Sequence, residues 1–215
     1  MKLIKKDINN IDTWLQKKGI KYLDVRVELL DHLVTEYEAI DQYPDLESFL
    51  DKRLSWCKIV MKKKEKTTHW GYQKMLWARF FQLLKKPLTV IFWTLFLVLI
   101  FTVKPLLDWK YKILLLMPLF VMVCAHIYIV LKNSIGKETF KNAVSAKYLG
   151  NIFALPILMI YLLNLVLQLN KKLFFEVPFL FLYVMIGTTL YLAAILVFLE
   201  KREEVLVQYD RLLRG

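Results

Sequence analysis

Four blocks free of Asp, Glu, Lys and Arg run through the later part of the chain: Leu88–Val103, Ile113–Leu131, Leu149–Leu169 and Val177–Leu199, of 16, 19, 21 and 23 residues. At ~1.5 Å of rise per residue, the last three are long enough as helices to cross a ~30 Å hydrocarbon layer. The first reaches that length once Pro87, suited to a first helical position, and Leu106-Leu107 are added, with the stem of Lys104 snorkelling to the interface. Lipid offers no partner to a free backbone N–H or C=O, so blocks of this kind fold as helices. With 57% hydrophobic residues among 215, the bias exceeds what one water-soluble core hides. The expectation is an all-α chain with four membrane spans at about 87–107, 113–131, 149–169 and 177–199.

Basic residues beside the spans set the orientation, because Lys and Arg are retained on the cytoplasmic side. Twelve fall on one side: Lys74, Arg79, Lys85 and Lys86, then Lys132, Lys137, Lys141 and Lys147, then Lys201, Arg202, Arg211 and Arg214. Five fall on the other: Lys104, Lys110, Lys112, Lys171 and Lys172. Both termini are therefore expected in the cytoplasm. The outer connections, Lys104–Lys112 and Asn170–Glu176, are too short for a folded domain. The opening residues, Met1 to Asp7, lead into Asn9, Asn10 and Asp12 and not into an apolar stretch, so no signal cleavage is expected. The net charge of +12 fits contact with anionic lipid, since the cations flank the apolar blocks, and no direct nucleic-acid partner is expected.

Met1 to Lys86 has a different character, with 18 Lys/Arg against 12 Asp/Glu and apolar residues at helical spacing. A first helix is expected from about Ile8 to Lys18, closed by Gly19. A second begins at Asp24 as N-cap, with Val27, Leu30, Leu33, Val34 and Tyr37 as its buried stripe. A third follows Pro44-Asp45 and carries Leu46, Phe49, Leu50, Leu54, Cys57 and Val60. The run Lys62-Lys63-Lys64-Glu65-Lys66 reads as a solvated turn, and Trp70–Lys86 as an aromatic-rich amphipathic helix along the headgroups or a link to the first span. This gives a cytoplasmic three-helix domain at 1–68, a linking helix at 69–86, a four-helix transmembrane bundle at 87–200 and a cytoplasmic tail at 201–215. The connection Asn133–Tyr148 has helical spacing of Phe140, Val144 and its lysines. It is read as an interfacial helix or an extension of span three, long enough to touch the N-terminal domain.

No catalytic constellation stands out, and the chain is read as a non-enzyme without cofactor. Gly136-Lys137-Glu138-Thr139 has no upstream Gly-rich loop, and neither GxGxxG nor GxSxG occurs. Glu28 and His32 are spaced to share a metal from one helix, yet no second His, Cys pair or HExxH accompanies them, so no metal site is expected. Four-residue spacing of Glu28, His32 and Glu36 more often marks pairs that stabilise a helix. Cys57 and Cys124 lie too far apart for a redox or ligand motif and read as reduced thiols. Within the spans, His126, Asn151, Asn164 and Gln168, with Tyr161 beside them, are read as interhelical hydrogen-bonding groups. No charge sits well inside a block, which weighs against an ion-coupled carrier. The pairs Gly150/Ala154 and Thr189/Ala193 permit close helix approach, within one chain or across a homodimer.

The run from Gly19 to Leu33, containing Asp24-Val25-Arg26-Val27-Glu28-Leu29-Leu30-Asp31-His32 and followed by Glu36, resembles the helical prefix of uncharacterised bacterial membrane proteins with HAAS-type signalling or permease-prefix domains. Those domains commonly close with a Gly-x-Pro turn where this chain carries Ser55-Trp56-Cys57-Lys58. The resemblance implies a bacterial inner-membrane protein working beside a cytoplasmic regulator or a transporter, with Glu28, Asp31, His32 and Glu36 as the partner-binding face. The function expected is regulatory or accessory, with a small-solute transporter or its membrane subunit as the alternative.

Overall fold

The computed structural model describes residues 3–40, 45–107, 111–134, 142–169 and 177–214, the side chains of 133–134, 163–169, 209–210 and 213–214 excepted. All regular structure in these residues is helical. In chain order the helices are α1 (Lys5–Lys17), α2 (Leu23–Ala39), α3 (Leu46–Lys85), α4 (Pro87–Leu107), α5 (Tyr111–Ser134), α6 (Val144–Gly150), a 3₁₀ turn (Asn151–Phe153), α7 (Ala154–Leu169) and α8 (Val177–Arg214). Four segments are long and apolar enough to cross a membrane: Pro87–Leu107, Tyr111–Lys132, Val144–Leu162 and Val177–Gln208. The chain divides into two compact units, the first made of Met1–Gly71, Glu138–Leu149 and Arg202–Gly215, the second of Tyr72–Lys137 and Gly150–Lys201.

In the first unit, α1 opens with the Ile4 N–H donating to the Asp7 carboxylate at 3.2 Å. It closes as a Schellman motif. The Gly19 N–H donates to the Gln16 carbonyl at 3.0 Å and the Ile20 N–H to the Leu15 carbonyl at 3.0 Å. Gly19 sits at φ 93°, a conformation that costs glycine little and other residues more. Ile11 and Leu15 of α1, Ile20 of the connection that follows it, Val25, Leu29, Leu33 and Tyr37 of α2, and Phe49, Leu50 and Cys57 of α3 form one core, joined by Val144 of α6. The apolar stripe of α2 therefore lies in a register different from the expected one. Val25 and Leu29 are enclosed while Val27 is 40% exposed, and Leu30 and Val34 flank the core. The helix also starts earlier, with Tyr22 as N-cap, which places Asp24 in its first turn.

The expected turn at Lys62–Lys66 is absent, because α3 runs unbroken for 40 residues. No Gly or Pro interrupts it before Gly71, lysine is a good helix former, and Lys64 and Glu65 find partners on neighbouring helices. The break expected before the first span falls at Lys86, and Pro87 opens α4.

In the second unit, Trp93 and Ile100 of α4, Tyr111, Leu115 and Leu119 of α5, and Val177, Leu180, Val184 and Tyr191 of α8 make the core. Trp93 meets Phe181 edge to face at 5.8 Å between ring centres. A Cβ added at Gly187 would stand 3.2 Å from Leu119 Cδ1, so a glycine lets α5 and α8 approach closely there. Thr189 and Ala193 are buried on α8, whereas Gly150 and Ala154 are exposed. Only 11% of the apolar window in α4, and the same share in α5, is enclosed by protein. Water would leave those faces as a large apolar patch, and a bilayer covers them without one.

Cys57 is fully enclosed, and burial pushes its thiol from the ordinary value of about 9 up to about 11. Only the thiolate is nucleophilic. A thiol reagent at pH 8 should therefore leave Cys57 unmodified in the native chain and label it on denaturation. Because the folded state holds this proton more tightly, the thiol makes no pH-dependent change below pH 9, and stability falls as pH rises from about 9 to 11. Thermal unfolding across that window, compared with Cys57→Ala, checks the sign.

Candidate functional site

The most connected polar group of the first unit joins α2, α3 and α6. Asp24 in the first turn of α2 turns its Oδ1 to two backbone donors, the Val25 N–H at 3.1 Å and the Val144 N–H at 3.2 Å. Val144 is the first residue of α6, so Asp24 satisfies one of the amides that a helix start leaves without an intrahelical partner. The Val144 side chain is wholly enclosed in the core. One turn later the Lys147 Nζ donates to the Tyr22 hydroxyl at 2.6 Å and to Glu65 Oε1 at 3.2 Å. The Tyr22 hydroxyl in turn donates to Glu65 Oε1 at 3.0 Å. The Lys147 ammonium also lies 5.3 Å from the Tyr22 ring centre and 5.0 Å from that of Tyr148. His69 meets the Tyr148 ring edge-on at 5.4 Å.

Burial raises the Tyr22 phenol above its usual range, and the Glu65 carboxylate adds to this against the hydrogen bond from Lys147. At neutral pH Tyr22 is thus a neutral bridge between one cation and one carboxylate. The group holds the first turn of the third apolar segment, Val144–Leu162, against α2 and α3. Tyr22→Phe should cost about 1 kcal/mol by leaving Glu65 and Lys147 one partner short, measurable as a lower Tm for the first unit.

The residues expected to face a partner separate into two kinds. Glu28 pairs with Lys64 of α3 at 2.8 Å and Glu36 pairs with Arg53 of α3, so both bind helix to helix instead of along α2. Asp31 and His32 are exposed, with His32 edge-on to Trp56 at 6.1 Å. Among the described residues no group of three or more His, Cys, Asp and Glu is placed to hold a metal.

In the second unit His126 lies flat on Phe153, with ring centres 4.1 Å apart, and its ring centre is 5.8 Å from that of Tyr191. Asn151, two residues before Phe153, is exposed in the 3₁₀ turn. The side chains of Asn164 and Gln168 lie outside the described residues. An apolar groove of about 640 Å³ runs between α4, α5 and α8, lined by Phe92, Trp93, Phe96, Met117 and Thr188 among others. The Thr188 hydroxyl is buried without a hydrogen-bond partner among the described residues, whereas Thr189 donates back to the Met185 carbonyl at 2.7 Å.

The Asp24–Val144 contact and the Glu65–Lys147 pair were invisible to sequence reasoning, since their partners stand 120 and 82 residues apart. The only signal was the helical spacing of Val144 and Lys147 in the connection before span three. Comparisons with family models, with curated proteins and with solved structures find no match.

Proposed function

We propose that this chain is an integral protein of a bacterial inner membrane with a regulatory or accessory role, both termini cytoplasmic, whose N-terminal helical domain docks a protein partner. The observation that carries the reading is the enclosure of Val144, with its clasp of Asp24, Tyr22, Glu65 and Lys147, in the core of that domain. A partner that shifts α2 then acts on residues continuous with span three. The likeness of Gly19–Leu33 to HAAS-type and permease-prefix domains supports the same role, as does the excess of Lys and Arg on one side of the spans. The exposed groups Asp31 and His32 are the docking contacts, while Glu28 and Glu36 hold α2 on α3. A carrier of small polar solutes is the weaker reading, because the groove between the spans is lined almost entirely by apolar side chains.

A photo-crosslinker at the exposed Thr35, used in intact membranes, tests the proposal. The expected result is a discrete protein adduct that disappears when Asp31→Lys and His32→Glu are added, with the amount of chain in the membrane unchanged. Absence of an adduct, or an adduct indifferent to both substitutions, contradicts it.

A further inference from the structure

Within the second unit, the end of α3 and the stretch of α8 around Glu200 border an open cleft of about 350 Å³, within the range of about 300–1,000 Å³ typical of small-molecule sites. Met75 and Val197 line its apolar side; Arg79, Gln82, Glu200 and Lys201 line the polar one. The Arg79 guanidinium is hydrogen-bonded to the Glu200 carboxylate, with side-chain exposures of 33% and 51%. A guanidinium has five donors and a carboxylate about four acceptor sites, so this one bond leaves both able to hold a ligand group. Glu200 directly follows the apolar block that ends at Leu199, and α3 ends at Lys85, just before the span opened by Pro87. On the same end of α3, Trp77 and Phe81 stack at 6.1 Å and are 40% and 53% exposed. Aromatic side chains beside cations at the edge of an apolar span mark the depth of lipid headgroups.

We propose that this cleft seats the headgroup of an aminophospholipid, its phosphate against Arg79 and its primary ammonium against Glu200. The proposal rests on the membrane-embedded reading above. Both signs of charge in one cleft select a zwitterion: a purely anionic headgroup would face the Glu200 carboxylate, and a choline headgroup has no N–H to donate.

The test is native mass spectrometry of the full chain in mild detergent, titrated separately with phosphatidylethanolamine, its N-methyl and N,N-dimethyl derivatives, phosphatidylcholine and phosphatidylglycerol. The expected result is one site that prefers phosphatidylethanolamine over phosphatidylcholine about tenfold, with affinity falling at each methylation. Glu200→Gln should abolish that preference, and Arg79→Gln should weaken all the phospholipids. If Glu200→Gln fails to fold, the methylation series on the unaltered chain still decides. Equal affinity across the series, or tighter binding of phosphatidylglycerol, overturns the headgroup assignment while leaving the membrane reading intact. A chain that retains no lipid of any class overturns the headgroup site as well, whereas the membrane reading fails only if the chain leaves the bilayer without detergent.

Discussion

Val144→Asp should strip the first unit of a large part of its stability, a loss of about 3–5 kcal/mol, the range seen when a buried charge is left without a partner. Val144 is wholly enclosed among Ile11, Leu15, Leu29 and the other core residues, none of which carries a cation to pair with a carboxylate. Its own N–H already donates to Asp24, so the new charge would also lie near an existing one of the same sign. Domains are stable by only about 5–15 kcal/mol, so the loss is a large fraction of the whole. Limited proteolysis in mild detergent should cut α1–α3 far faster in Val144→Asp than in the unaltered chain. Val144→Ala, which only leaves a cavity, should fall between them. Equal protection of all three chains would mean that α6 takes no part in that core.

Leu95→Arg should be nearly as damaging, although Leu95 is 65% exposed. On a surface in water such a substitution changes stability by about 0.5 kcal/mol or less. At the centre of a membrane helix an arginine costs about 2.5–3.5 kcal/mol on the insertion scale. Leu95 lies near the middle of α4, whose apolar window is 11% enclosed by protein. The same exposed position thus carries opposite expectations in the two solvents. The amount of chain recovered from membranes as a monodisperse species in detergent should fall sharply for Leu95→Arg, and an undiminished yield would show that α4 faces water.

The spans were legible because their signal is local: a charge-free block reports its own solvent, and Pro87 marked the start of α4 directly. The end of α1 was legible for a similar reason, since Gly19 fills a position at φ 93°, which glycine adopts at little cost. The course of α3 was not. Five charged residues in a row read as solvated turn, although no Gly or Pro breaks them, and the ion pairs with Glu28 and Lys147 on other helices that give the run partners are not visible in the sequence. On α2, Val25, Val27, Leu29, Leu30, Leu33 and Val34 crowd the helix so densely that several registers look equally amphipathic. Contact with α1 and α3 selects the stripe through Val25, Leu29 and Leu33. That choice also turned Glu28 and Glu36 toward α3, and left Asp31 and His32 as the exposed part of the expected docking face. The clasp and the Arg79–Glu200 cleft each join residues more than 80 positions apart, a distance over which periodicity carries no information.

The most direct test of the central claim is the partition of the full-length native chain after membranes are washed with alkaline carbonate and urea. Four helices seated in lipid predict that the chain stays wholly with the bilayer and is released only by detergent. Recovery as a monodisperse species in detergent-free buffer would contradict the account.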